Sequence, residues 1–296
     1  MSTAAPTAKP VARRRIRPGD ALLNVWGVLG LVFLFFPIVV IVVFSFNNGR
    51  TLQTFDGIGL DAYLSALSNP AITNAITVSL ITATGTAVVA TLLGTFAGVA
   101  LTRRPGWWAP GLLVLLGLVL VTPEIVSAIS LLPWFVTLGV DWGLPAFNVG
   151  QVRLIIANSL FASAVVTFIV RARMTGMNEF LEEAAADLYA TPIRRFTDIT
   201  LPLIRPAVLS GALLAFTLSL DNTVVSSFVS VAGSTPWPVY IFASLKASLR
   251  PDIAATSTMM LVLTLIALGV AALILRRDPT GSGGGAAGLT GAMVGR

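Results

Sequence analysis

Glu182–Pro206 reads EEAAADLYATPIRRFTDITLPLIRP, and it carries several charges inside a chain that is otherwise mostly apolar. Of the 296 residues 55% are hydrophobic and 11% charged, where soluble domains carry about 25% charged residues. So large an apolar surplus cannot be hidden in one soluble core and points to a lipid-embedded protein. The charged stretch is then a connection outside the lipid, and the apolar chain on either side has to cross it.

Working outward, six segments approach the roughly 20 apolar residues that a crossing helix needs. They are Ala21 to Phe46, Ile72 to Leu101, Gly111 to Leu138, Val152 to Val170, Ala207 to Val231 and Ile253 to Leu275. The first follows Arg13, Arg14, Arg15 and Arg17, but its apolar run is longer than that of a secretory signal, so an uncleaved helix is expected. Lys and Arg gather on one side: the N-terminal cluster, Arg103, Arg104, Arg171, Arg173, Arg194, Arg195, Arg205, Arg276 and Arg277. The other side has Arg50, Arg153, Lys246 and Arg250. By the positive-inside rule both termini and the Glu182 stretch face the cytoplasm. Gly94 and Gly98 form a G-x-x-x-G in the second segment, a spacing that lets helices approach closely.

Composition also excludes chemistry. The chain has no Cys and no His, so thiol, thiolate-metal and imidazole chemistry are out of reach. Neither Lys9 nor Lys246 sits in a Gly-rich phosphate loop, so the chain builds no ordinary nucleotide site. A net charge of +6 spread along the chain, with no basic domain, argues against nucleic acid. No metal site and no catalytic residue is expected.

Within the stretch, helix formers over Asn178 to Tyr189 carry Glu179, Glu182 and Glu183 early, where they complement the helix dipole. Pro192 is expected to stop or redirect the chain, with a second short helix over Ile193 to Ile199. On physical grounds two readings stay open: an amphipathic surface helix with Arg194 and Arg195 at anionic headgroups, or a docking surface for a cytoplasmic partner.

The residues also carry a family resemblance. Glu183, Ala184 and Ala185, followed at the family spacing by Ile199, Leu201 and Pro202, resemble the EAA loop of ABC-importer permeases. The pattern asks for Gly where this chain has Tyr189. Tyr takes a left-handed turn only at a cost, so a more regular turn or a modified partner contact is expected. "LPLIRPAVLSGALLAFTLSLDNTVVSSFVS", "PVYIFASLKASLRPDIAATSTMMLVL" and "VTPEIVSAISLL" are similar to the permeases of spermidine/putrescine importers. The resemblance implies an all-α, six-span type I permease in the bacterial inner membrane, non-catalytic itself. Its partners would be a second permease in a heterodimer, membrane lipid, two ATPases holding ATP and Mg, and an extracytoplasmic substrate-binding protein. The expected division is a basic segment at 1–20, a permease domain at 21–276 with its loop at about 171–206, and a disordered tail at 277–296.

Ionisable residues inside the spans are costly and usually face a polar route, and two stand out, Glu124 and Asp221. Thr122-Pro123-Glu124 reads as a helix start with Thr122 as N-cap, Pro123 first and Glu124 on the dipole, and Ser127 and Ser130 follow on roughly one face. Asp221-Asn222 lies mid-span, and Ser219, Asn222 and Ser226 would form one polar stripe. Each group could serve helix packing or a translocation route, and the resemblance favours the route. Trp134, Trp142 and Trp237 are candidates for cation–π contacts, and Trp107, Trp108 and Trp142 for interface anchors. Related permeases often carry a second acid where this chain has Asn222. Cargoes other than polyamines therefore stay open (an amino-acid derivative, an opine, a phosphonate or iron), as does a scaffold recruiting a non-ATPase partner.

Overall fold

A computed structural model describes residues 18–49, 51–52, 54–178, 180–247 and 250–277. The basic segment before Pro18, Glu179 and the tail from Asp278 lie outside the described residues. In chain order the helices are α1 Pro18–Phe44, α2 Asp61–Ser68, α3 Pro70–Arg103, α4 Ala109–Val121, α5 Glu124–Val136, α6 Gly150–Thr175, α7 Phe180–Asp187, α8 Pro192–Arg195, α9 Leu201–Asp221, α10 Val224–Val229, α11 Trp237–Ala247 and α12 Pro251–Arg277. Among the described residues extended pairing is limited to one bridge, Asn47 to Ile58.

Among the described residues six helical stretches are long and apolar enough to cross a membrane: Leu22–Phe44, Pro70–Arg103, Glu124–Asp141, Gly150–Thr175, Pro192–Asp221 and Pro251–Gly269. The number agrees with the sequence reading, but the third and fifth differ from it. The third segment, expected at Gly111 to Leu138, breaks into α4 and α5. Thr122, before Pro123, is pushed into an extended conformation (φ −64°, ψ 127°) because the proline ring crowds the helical region of its predecessor. Thr122 does not cap α5: its hydroxyl donates back to the Leu118 carbonyl at 2.7 Å, and α5 begins at Glu124.

The fifth span starts earlier than Ala207 and ends earlier than Val231. Thr191 caps α8, with Arg194 N–H donating to its hydroxyl, and Pro192 takes the first turn, where its missing N–H costs nothing. The helix then runs on through a widened π-type turn over Phe196–Thr200 into α9. Pro202 has no N–H for the carbonyl four residues back and would crowd it; the wider turn accommodates this, with Leu201 N–H reaching Phe196 O. Pro192, expected to stop or redirect the chain, thus starts a helix, and the expected separate short helix is the first part of a 30-residue rod.

The core is the packing of α3, α6 and α9 along one another. Lipid is as apolar as the side chains, so close fit supplies the association energy. A Cβ on Gly94 would lie 2.6 Å from Val166 Cβ and 2.9 Å from the Ser163 carbonyl, and one on Gly98 3.0 Å from the Thr167 carbonyl. The G-x-x-x-G therefore seats α3 on α6. Gly211 of α9 meets the same Val166 from the other side. α1 buries none of its crossing window, and Trp26, Phe33 and Phe36 stand exposed on it.

Candidate functional site: a coupling loop and a carboxylate cleft

The two candidate regions lie at opposite ends of α9. At its start, α7 carries Glu183 and Ala184 exposed and Ala185 half-buried, and no residue of α7 is fully buried. Its end is closed by two bonds, Ala190 N–H to Ala185 O (3.0 Å) and Tyr189 N–H to Ala186 O (2.9 Å). That is the Schellman pair, which requires a left-handed residue between helix end and exit. Tyr189 supplies it with φ 61°, the one non-glycine residue at positive φ among those described. The more regular turn expected for Tyr is therefore not formed: the two bonds hold the left-handed shape the pattern's glycine would take. Tyr189 is 96% exposed, with Leu188 and Ile193 also bare beside it. Ile199 and Leu201 are half-buried at the widened turn, and Pro202 is exposed.

A left-handed conformation costs a residue with a Cβ roughly 1–2 kcal/mol. Tyr189→Gly is accordingly expected to slow amide exchange over 184–190 by about fivefold, equivalent to about 1 kcal/mol. Unchanged or faster exchange would show that the tyrosine side chain itself holds the turn.

Glu183 begins the loop pattern that the family resemblance picks out. In the structure Glu183 is exposed, and the bonds to the bundle are made by its neighbour Glu182. Glu182 Oε1 accepts from Arg103 Nε (3.1 Å) and Thr200 Oγ1 (2.6 Å), with Arg103 Nη2 at 3.0 Å. A broad groove of about 1110 Å³ opens beside this junction, lined by both signs of charge, including Arg104, Arg195, Glu183 and Asp187. Glu182 could not be singled out in the sequence, since Arg103 is 79 positions away.

At its far end α9 stops at Asp221. Asn222 leaves the helical conformation (φ −72°, ψ 98°), and its Oδ1 accepts from Val225 N–H at 2.9 Å, starting α10. This local bond competes with the helix ladder and breaks it. The expected stripe of Ser219, Asn222 and Ser226 is consequently split. Ser219 is buried against Thr86 Oγ1 at 3.1 Å, and Ser226 is buried in α10. α10 packs on α5 and α6 through Val225, Val229, Ala128, Phe135 and Leu154, which brings the start of α5 to the break.

Two clefts result. One of about 280 Å³ is lined by Glu124, Ser127, Ser130 and Asn222, and one of about 390 Å³ by Glu124, Asp221, Asn222 and Thr217. The structure so assembles Glu124, Ser127, Asp221 and Asn222, and leaves Ser226 outside. Both carboxylates are exposed, and neither makes a hydrogen bond or ion pair with the described residues. Glu124 complements the N-terminal dipole of α5, whereas Asp221 adds its charge to the negative end of α9. Two carboxylates and a helix C-terminus around one hollow form an electronegative site suited to a cation. Trp237 is buried, stacked on Tyr240, with its N–H of the backbone bonded to Ser79 Oγ, so it serves packing. Trp134, Trp142 and Trp107 are exposed and line neither cleft.

Among the described residues, six apolar helical spans, two of them broken beside acidic residues, and an exposed helical loop leading into the fifth span have the build of a transporter's membrane subunit. The family described as binding-protein-dependent transport system inner membrane component matches residues 90–277, and the chain belongs to it. It is 38% identical over 234 residues to the putrescine transport system permease protein PotI of Escherichia coli (strain K12), covering 79% of this chain and 83% of that one. It is 34% identical over 252 residues to the spermidine/putrescine transport system permease protein PotC of Shigella flexneri, covering 85% and 93%. Among solved structures, a bacterial ABC transporter importing the acidic polysaccharide alginate matches with a TM-score of 0.66 at 16% identity, over 88% of this chain and 98% of that one. The MetNI methionine ABC transporter matches at 0.56 and 14% identity, over 71% and 99%. At these identities the structures speak for the fold alone.

Proposed function

We propose that this chain is one of two membrane subunits of an ATP-driven importer for polyamines such as putrescine or spermidine. Both termini and the 171–206 loop face the cytoplasm of a bacterial cell, in keeping with the Arg bias. Two ATPase subunits, which hold the ATP and Mg, receive α7 and the exposed Leu188, Tyr189 and Ile193. An extracytoplasmic binding protein delivers the solute to the opposite side, and a second permease completes the route. The relatives' names support the polyamine class, and the unpaired Glu124 and Asp221 carboxylates suit an alkylammonium cargo.

One observation carries the coupling reading: the α7 turn continues into a single rod, Pro192–Asp221, that ends at the carboxylate cleft. ATP-driven closure of the ATPases moves α7, the rod carries that movement to Asp221 and Asn222, and the clefts change the side to which they open. Glu183, Ala184 and Ala185 form the docking face, where small side chains permit close approach. Glu183→Lys is expected to leave the chain in the membrane while ATP hydrolysis continues without uptake. Normal uptake in that variant would remove Glu183 from the docking face.

A further inference from the structure

α7 has no buried residue, yet it must pass force to a bundle whose core is α3, α6 and α9. With only Ala185 and Ala186 of its apolar residues half-buried, apolar packing holds α7 weakly and directed bonds carry more of the join. Among the described residues one carboxylate oxygen supplies such bonds to two elements at once. Glu182 Oε1 takes donors from Arg103, the last residue of α3, and from Thr200, which closes the widened turn at the base of α9. Thr200 is 3% exposed, so its hydroxyl is fixed in position. Phe96 of α3 stacks on Phe196 of the same turn, 6.4 Å between centroids, so α3 and the turn already touch where Glu182 clasps them. Glu182 lies outside the E-A-A triplet and roughly 200° around α7 from Ala184, two residues at about 100° each. The clasp and Ala184 therefore sit on opposite sides of one helix, with Ala185 half-buried nearer the clasp.

We propose that Glu182 is the positioning residue of the coupling loop: it ties α7 to α3 and to the α8–α9 rod at once, so that movement of α7 displaces two spans together. This rests on the docking reading given above. Protonated or amide side chains at 182 keep the shape but lose the charge-assisted bonds to Arg103. The widened turn is where the rod can rotate against α3, and Thr200 sets its position relative to α7.

The test uses the complete assembly in liposomes: this chain, its second permease, both ATPases and the binding protein, with labelled putrescine. Glu182→Gln is expected to retain the ATPases on purification and to lower putrescine imported per ATP hydrolysed by about tenfold, a size typical of substitutions within coupled networks. Thr200→Val should lower the ratio by about threefold. The exchange Arg103→Glu with Glu182→Arg should restore most of it, which Arg103→Glu alone should not. A merely stiffening role would alter abundance and leave the ratio as it is. A wild-type ratio in Glu182→Gln overturns the proposal. Should that variant fail to accumulate, an unchanged ratio in Thr200→Val overturns it equally. Ala184→Trp tests the docking reading separately: it should strip the ATPases from the complex, and retained ATPases with normal import would sink that reading whatever Glu182 does.

Discussion

Replacing Glu124 by Gln and Asp221 by Asn together is expected to lower polyamine uptake at sub-saturating concentration by about a hundredfold. A hydrogen bond to a charged group contributes about 1.5–3 kcal/mol, and two such losses reach this size. The amount of chain in the membrane should stay the same, because neither carboxylate bonds to the described residues and both are exposed in the isolated chain. Charges inside a membrane protein usually face its interior or a water-filled route, so on the proposed reading this exposed pair beside broken helices faces the route or the second permease. Each single variant should show part of the loss, with Asp221 contributing more, since it adds to the negative end of α9 while Glu124 is partly offset by the positive start of α5. Equal uptake in the double variant would assign both acids to helix placement.

Gly94→Leu is expected to abolish recovery of monodisperse protein. The first added carbon alone would lie 2.6 Å from Val166 Cβ and 2.9 Å from a backbone carbonyl, and neither helix backbone can yield by that much. Overpacking a well-fitted core costs about 1–3 kcal/mol, and here the clash includes the α6 main chain, so the cost lies at about 3 kcal/mol. Gly117→Leu in α4 serves as the control, since a Cβ there meets nothing within 4 Å. Size-exclusion profiles in detergent separate the two: a normal Gly94→Leu profile would mean that α3 does not sit on α6 as described.

Much of this architecture is legible in the residues. Apolar length marks six crossings, and the spacing from Glu183 to Pro202 marks the loop, because both are local properties of the chain. What escapes is whatever tertiary bonds decide. Pro192 reads as a stop, but with Thr191 capping it is a first-turn residue, and the widened turn takes up Pro202, so the loop and the fifth span form one rod. Propensity argues against a left-handed Tyr189, yet two main-chain bonds, donated by Tyr189 and Ala190 to the Ala186 and Ala185 carbonyls, outweigh a cost of roughly 1–2 kcal/mol. No Pro or Gly announces the break after Asp221; a single Asn side chain makes it by capping α10. Residues counted along one helix, as Ser219, Asn222 and Ser226 were, then part company. Glu182 differs from Glu183 only in the direction it faces, and that direction is set by Arg103 and Thr200.

The central claim is that this chain joins cytoplasmic ATP hydrolysis to polyamine import, and uptake of labelled putrescine into proteoliposomes holding the full assembly measures it directly. With ATP on the side of the 171–206 loop and loaded binding protein on the other, accumulation against a gradient is expected, lost when either is withheld. Accumulation that ignores ATP, or an assembly that hydrolyses ATP and carries a different solute but no polyamine, would contradict it.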